Sequence, residues 1–354
     1  MNVFDCFMYF DEEQILELRL NVLDEKVDFF VIVESIYNHR GDKRDLLFNK
    51  NKFLKFSKKI IYLVYEEIPN NVELINENDD KKEKDRKYIM NAVYRENAQR
   101  NLISEGIKNA NKDDLIMISD VDEIPKLESL NLKSIKDEIF IFKQHMFHYK
   151  YNLVLPNFKW TGTKAIKKKN LISPQWLRNI KDKKFSFYRV DTFFSSTKYI
   201  NIKFIDNGGW HFTNIKTAAE IEYKLKSYLH HAEFDVNPIS KEEIEQVMKN
   251  KKAIYDLKVD KRGKKFGNGD QLKEFPLSEL PVYLQNNLEE SIRGVKYGLK
   301  GEITVNGMIY NGIMTQQGLD DEEIADVMNY ILNNWGNKTN KQITETNVME
   351  VKKI

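Results

Sequence analysis

The sequence predicts an α/β protein with a mostly parallel central sheet and a helical C-terminal extension. Through its first half, short β-branched and aromatic runs alternate with amphipathic stretches. Runs such as "FFVIVES" (29–35) and "KIIYLVYEE" (59–67) are apolar almost throughout, the pattern of strands buried on both faces. A third observation concerns the apolar run "LIMIS" (115–119), which ends abruptly in "DVDE" at 120–123. In a parallel sheet, ligands bind outside the carboxyl ends of the strands, which is where this acidic stretch falls.

The elements follow in order. "NVFDCFMYF" (2–10) reads as the first strand. Asp11 with Gln14 then forms an N-cap box, and Leu16, Leu20, Leu23 and Val27 recur at helical spacing. Strands over 29–35 and 59–67 come next, and "NDDKKEKDRK" (78–87) leads into a long helix ending near Ala110. Strands are expected over 114–119, 138–147, 184–190 and 199–205, and "DNGGWHF" (206–212) is a glycine-bearing turn entering a further short run. Thr217 with Glu220 and Ser240 with Glu243 are capping boxes that open helices over roughly 218–231 and 241–255. The polar tail from about 333 reads as loosely held.

Composition excludes several classes. Lys+Arg 56 against Asp+Glu 54 leaves a net charge of +2, so no basic field points to nucleic acid. Cys6 is the single cysteine, which rules out an intramolecular disulfide and a zinc–thiolate cluster, and it reads as a small core residue. No apolar stretch reaches the ~18 residues of a membrane span, and the N-terminus lacks a basic region followed by an apolar core. A cytoplasmic location is the expectation.

The chemistry concentrates at the acidic stretch. In an extended segment Asp120 and Asp122 point to one side, and two carboxylates not paired with Lys or Arg suit Mg²⁺, Mn²⁺ or Ca²⁺. A solvated turn or a helix N-cap is the plainer alternative. Glu123 faces the other way and pairs with a base or orients the turn.

Four segments resemble, in order, those of glycosyltransferase family 17: "SDVDEIP" (119–125), "DFFVIVESIYNHRGDKRDLLF" (28–48), "GGWHFTN" (208–214) and "YKLKSYLHHAEFD" (223–235). The resemblance covers roughly residues 1–275. It implies a GT-A nucleotide-sugar transferase fold, with a catalytic domain over 1–235 and a helical extension over 236–354. It also implies a UDP-sugar donor, UDP-GlcNAc in the characterised branch, and inversion at the anomeric carbon. The acceptor is expected to be a glycan or a lipid-linked sugar.

Site residues are expected accordingly. Asp122 leads as a metal ligand, with Asp120 binding the metal or the donor ribose. His211 is a candidate nitrogen ligand, which would favour Mn²⁺ over Mg²⁺, or else a packed histidine. Gly208 and Gly209 allow close backbone approach, and Trp210 stacks on a sugar or fills the core. Glu34 meets the nucleoside or caps the next loop, and Arg95 or Arg178 meets a diphosphate, with Arg100 and Lys164 as further basic candidates. His148 and Tyr149 line the acceptor side or the core. The general base is expected at Glu233, with Asp235 and Asp191 as competitors. Two other classes stay open: another metal-dependent sugar-nucleotide or phosphodiester enzyme, and a non-catalytic glycan-binding protein with a degenerate transferase fold.

Overall fold

Burial on both faces gives the first strands their continuous apolar runs. In β1 (Val3–Met8), Phe4 and Cys6 face one side of the sheet, and Asp5 and Phe7 face the other. Helix α1 (Glu13–Leu23) covers the Asp5 side, burying Leu16, Arg19, Leu20 and Leu23. Strands β2 (Phe29–Ser35) and β3 (Ile60–Tyr65) add in parallel on one flank of β1. The chain then returns through α2 (Lys81–Asn101) and α3 (Ile103–Gly106) to lay β4 (Leu115–Asp120) in parallel on the other flank. Ile103, Ile107, Ile116 and Ile118 pack with Phe4 and Cys6, so α3 covers the face opposite to α1. The order β3-β2-β1-β4 reverses the direction of winding between β1 and β4, and the carboxyl ends of these two strands flank a crevice.

The computed structural model describes residues 1–354 except 129, 131–134, 136, 187, 193, 228–233, 235–237, 258–265, 268, 298, 306–307, 315, 317, 334–341 and 353–354. The chain divides into two units, Met1–Pro276 and Leu277–Ile354. The first continues with β5 (Glu123–Pro125), β6 (Ile139–His148), β7 (Leu153–Lys167), α4 (Pro174–Asn179), β8 (Ile202–Ile205), β9 (Gly209–Thr213), α5 (Ala218–Ser227), α6 (Lys241–Lys249) and β10 (Lys273–Glu274). The sheet extends from β4 through β7, β6 and β9 to β5, with β8 beside β6 and β10 beside β7. Met146, Ile221, Leu225, Ile244 and Val247 form a second core beneath α5 and α6. In the second unit, α7 (Val282–Tyr297), the hairpin β11 (Leu299–Val305)–β12 (Met308–Met314), α8 (Asp321–Asn333) and α9 (Glu345–Glu350) include a core of Ile292, Ile324, Met328, Ile343 and Val348.

Four expectations change. The sheet is mixed: β1 to β4 form a parallel half, whereas the long β7 runs antiparallel to both β4 and β6. The described residues of the segment 184–190 form no strand. Tyr188 and Val190 are exposed there, so no burial rewards sheet pairing, and Val190–Thr192 makes a 3-10 turn. The Asp11–Gln14 box does not form; α1 starts without a side-chain cap because the Asp11 carboxylate accepts from Lys216 Nζ at 2.6 Å. The C-terminal part adds a β-hairpin to its helices. Both later capping boxes are present, at Thr217–Glu220 and Ser240–Glu243.

Gly209 opens β9 at φ +132, and a Cβ there would overlap the Ile124 carbonyl of the neighbouring β5. Replacing Gly209 by alanine should lower stability by about 1–3 kcal/mol, measured by urea unfolding. An unchanged midpoint would show that β5 and β9 can separate at no cost.

Candidate active site

The acidic turn is built from beneath. Arg19 is fully buried, and its guanidinium donates to both oxygens of Asp5 (2.7 and 2.6 Å) and to the Ser119 hydroxyl. Its remaining Nη1 donates to the carbonyls of Asp120 (3.0 Å), Val121 (3.1 Å) and Glu123 (2.8 Å). One side chain thus fixes the backbone of the turn that carries the site. Its five donors are all used, which is what permits burial of the charge.

Glu123 is the second anchor. Its buried carboxylate accepts from Trp160 Nε1 at 2.6 Å, from both Nη atoms of Arg178 at 2.8 and 3.2 Å, and from the Asp120 amide at 2.8 Å. Gly162 lies against it, and a Cβ there would meet the carboxyl carbon at 2.6 Å. Helix α4, capped by Ser173, delivers Arg178, and Lys164 donates to the carbonyls of Arg178 and Ile180 at the end of that helix. Burial and the Arg178 charge push the Lys164 amine down to about 8.

The two aspartates divide between cations. Asp120 is half-exposed and pairs with Arg178 at 2.9 Å and Arg100 at 3.1 Å. Partial burial opposes its ionisation, but the two guanidinium groups outweigh this and hold its carboxyl well below the usual range. Arg100 also pairs with Glu96, and its buried Nε has no hydrogen-bond partner. Asp122 is nearly buried, with His211 Nε2 at 3.4 Å from its Oδ2 and Lys224 Nζ at 4.0 Å. Burial would raise its pKa, and the charges of His211 and Lys224 bring it down instead. The same pairing raises His211 against the lowering effect of burial. His211 Nδ1 is buried without a partner. Its ring lies 5.0 Å from that of Trp160, tilted by 35°, and its register opposite Glu123 places it beside the turn.

The other expected residues take these places. Gly208 and Gly209 lead into β9, and Trp210 is buried with Lys126 Nζ 5.7 Å from its ring. Glu34, fully buried at the carboxyl end of β2, accepts from Arg44, the Leu47 and Phe48 amides and the Tyr62 hydroxyl. Arg95 donates to the carbonyls of His39 and Arg40, and lines a shallow cleft with Tyr37, Tyr65, Glu67 and Gln99 at the ends of β2 and β3. His148 is buried with neither ring nitrogen hydrogen-bonded, and burial with the nearby His211 pushes it down to about 3. The Tyr149 hydroxyl donates to the Lys252 carbonyl. Asp191 is held by Arg189 and Lys198, and among the described residues it shares no partner with the turn. Glu233 and Asp235 lie outside the described residues.

Asp120, Asp122, Arg178 and His211 therefore come together, with Arg100 beside them, whereas Glu34 and Arg95 lie along the same sheet edge at β2. Sequence reasoning missed Arg19, Trp160 and Lys224. Arg19 did leave a signal, an arginine inside "LELRLNVL" on the apolar stripe of α1.

Residues 1–302 match the model of glycosyltransferase family 17, and the chain belongs to this family. A 60-residue stretch, 16% of the chain, is 48% identical to two cytochromes c-552 of Thermus thermophilus, covering 46% and 40% of those proteins. The chain thus spans less than half the length of these curated relatives. Among the described residues no helix is long and apolar enough to cross a membrane.

In metal-free protein His211 should titrate above the ordinary imidazole value of ~6.5, and Asp122→Asn should bring it down. Because the folded value is raised, the stability from this pair is present below the unfolded pKa and is lost as pH rises through the folded one. Proton NMR of the six histidines checks this; a His211 titration unchanged by Asp122→Asn would contradict it.

Proposed function

We propose that the chain is a GT-A-type transferase that moves a sugar, GlcNAc in the first instance, from a UDP-sugar to a hydroxyl of a glycan or lipid-linked sugar. The observation that carries this reading is the cation-flanked acidic turn Asp120–Glu123 at the β1–β4 crevice, the place where open α/β sheets take their ligands. Family membership supports the reaction class, and the UDP-GlcNAc donor and inverting course follow from the sequence resemblance.

The donor set suits a divalent ion. Asp122 Oδ2 and His211 Nε2, 3.4 Å apart, are the atoms that would hold such an ion. Mixed oxygen and nitrogen ligands favour Mn²⁺ over Mg²⁺. Asp120 would join them only by releasing an arginine. When bound, such an ion neutralises charge on the departing diphosphate. Arg100 and Arg178 add fixed positive charge on the same side of the turn, pre-organised by Glu96 and Glu123, so little reorganisation accompanies bond breaking. Arg95 and the cleft at β2 and β3 lie two to three strand spacings from Asp120, roughly 10–15 Å, a span that suits the nucleoside end of the donor. The cytochrome likeness brings no haem chemistry with it: c-type attachment needs Cys-x-x-Cys-His, and Cys6 stands alone.

Calorimetric titration with UDP should show much tighter binding in Mn²⁺ than in EDTA, and Asp122→Ala should erase the difference. Equal affinity in the two buffers for the wild type would overturn the metal reading. A panel of donors should show UDP-GlcNAc turned over in preference to UDP-glucose, UDP-galactose and GDP-sugars; preference for a GDP-sugar would overturn the donor assignment.

A further inference from the structure

Inverting transfer needs a carboxylate that can take a proton, and among the described residues nearly every carboxylate around the acidic turn is already paired. Asp5 is held by Arg19, Glu96 by Arg100, Asp11 by Lys216, and Glu123 by Arg178. Asp120 has two arginines, and Asp122 has His211 with Lys224 beyond. Glu12 differs. It sits on the β1–α1 connection, and since Met8 of β1 is in register with Asp120 of β4, this connection borders the acidic turn across the crevice. Among the described residues Glu12 makes no ion pair within 4 Å. Its Oε2 accepts the amides of Phe10 (3.3 Å) and Asp11 (3.1 Å), which fixes the carboxylate, while among the described residues Oε1 accepts no hydrogen bond and the residue is partly open.

We propose that Glu12 is the general base of the transfer, with Oε1 receiving the proton of the acceptor hydroxyl. This rests on the glycosyl-transfer reading above. In the step, the acceptor oxygen forms its bond to the anomeric carbon and its proton passes to Glu12. The bond from that carbon to the diphosphate oxygen breaks, with its electron pair leaving on the diphosphate. The geometry suits an in-line displacement. Arg100 and Arg178 come to the turn from α2 and α4, where Leu177 packs in the same core as Ile103 of α3. Glu12 precedes α1, which covers the opposite face. Arg100 and Arg178 on the one hand and Glu12 on the other thereby reach the turn from opposite faces of the sheet. The electrostatics agree. Burial holds the Glu12 carboxyl above its usual range, with Lys224 and Lys216 opposing this and Asp11 and Asp122 adding to it. A base drawn upward in this way is better matched to neutral pH than a paired aspartate.

The test uses UDP-GlcNAc with water, then with azide, as the nucleophile, because azide needs no deprotonation. Glu12→Gln keeps an oxygen for the Phe10 and Asp11 amides. It should bind UDP as the wild type does, lose about 10²–10⁴-fold in hydrolysis, and retain azide-driven UDP release with formation of the glycosyl azide. In Lys224→Met, the acid limb of the hydrolysis pH profile should move to higher pH, since a neighbouring cation has been removed. Equal loss with water and azide would assign Glu12 a structural role and overturn the proposal. So would wild-type hydrolysis in Glu12→Gln, above all if Glu233→Gln or Asp235→Asn lost it instead. A wild type that releases UDP from no UDP-sugar with either nucleophile would overturn the glycosyl-transfer reading itself, and this proposal with it.

Discussion

The buried guanidinium of Arg19 is the constraint on which the rest of the site depends. It lies between α1 and the sheet with no access to water, so each of its N–H groups has to find an acceptor inside the protein. Asp5 neutralises the charge, and Ser119 and the carbonyls of Asp120, Val121 and Glu123 take the other donors. Three carbonyls of one short turn cannot converge on a single cation unless the backbone reverses tightly around it. The Asp122 carbonyl, left out of that set, accepts the Phe212 amide of β9. The turn is therefore tied both to α1 and to the strand that carries His211.

Glu123 extends the same logic outward. Its carboxylate spans the turn amide, Trp160 and Arg178, so it both pairs with a base and orients the turn, the two roles its place in the sequence suggests. Arg178 in turn reaches Asp120, and Arg100 reaches the same carboxylate from α2. Two guanidinium groups thereby meet at Asp120, while His211 and Lys224 face Asp122, with Glu12 nearby.

The sequence made the parallel half of the sheet legible because β1, β2 and β4 are buried on both faces and β3 partly so, and such strands announce themselves as unbroken apolar runs. It made the acidic turn legible because carboxylates at the end of a buried strand are costly without a purpose. β7 escaped because "PNFKWTG" interrupts its apolar pattern where the strand is only partly covered. The segment 184–190 misled for the opposite reason: its alternation of apolar and polar residues has no sheet edge to meet. Which carboxylates are free to act was not legible at all. Lys216 claiming Asp11, or two arginines claiming Asp120, joins residues far apart in the chain, and no local spacing encodes such pairings.

Amide hydrogen exchange on the Arg19→Lys variant tests the central dependence most directly. Lysine keeps the charge for Asp5 but has a compact ammonium in place of the planar fork, and three donors for six acceptors. In the ligand-free wild type, the amides of Asp120, bonded to Glu123, and of Phe212, bonded to Asp122, should exchange slowly. In Arg19→Lys both should exchange rapidly, while Ile32 in β2 keeps its protection and reports an intact sheet. Slow exchange at Asp120 and Phe212 in the variant would contradict the account, because the turn would then hold its shape without the guanidinium.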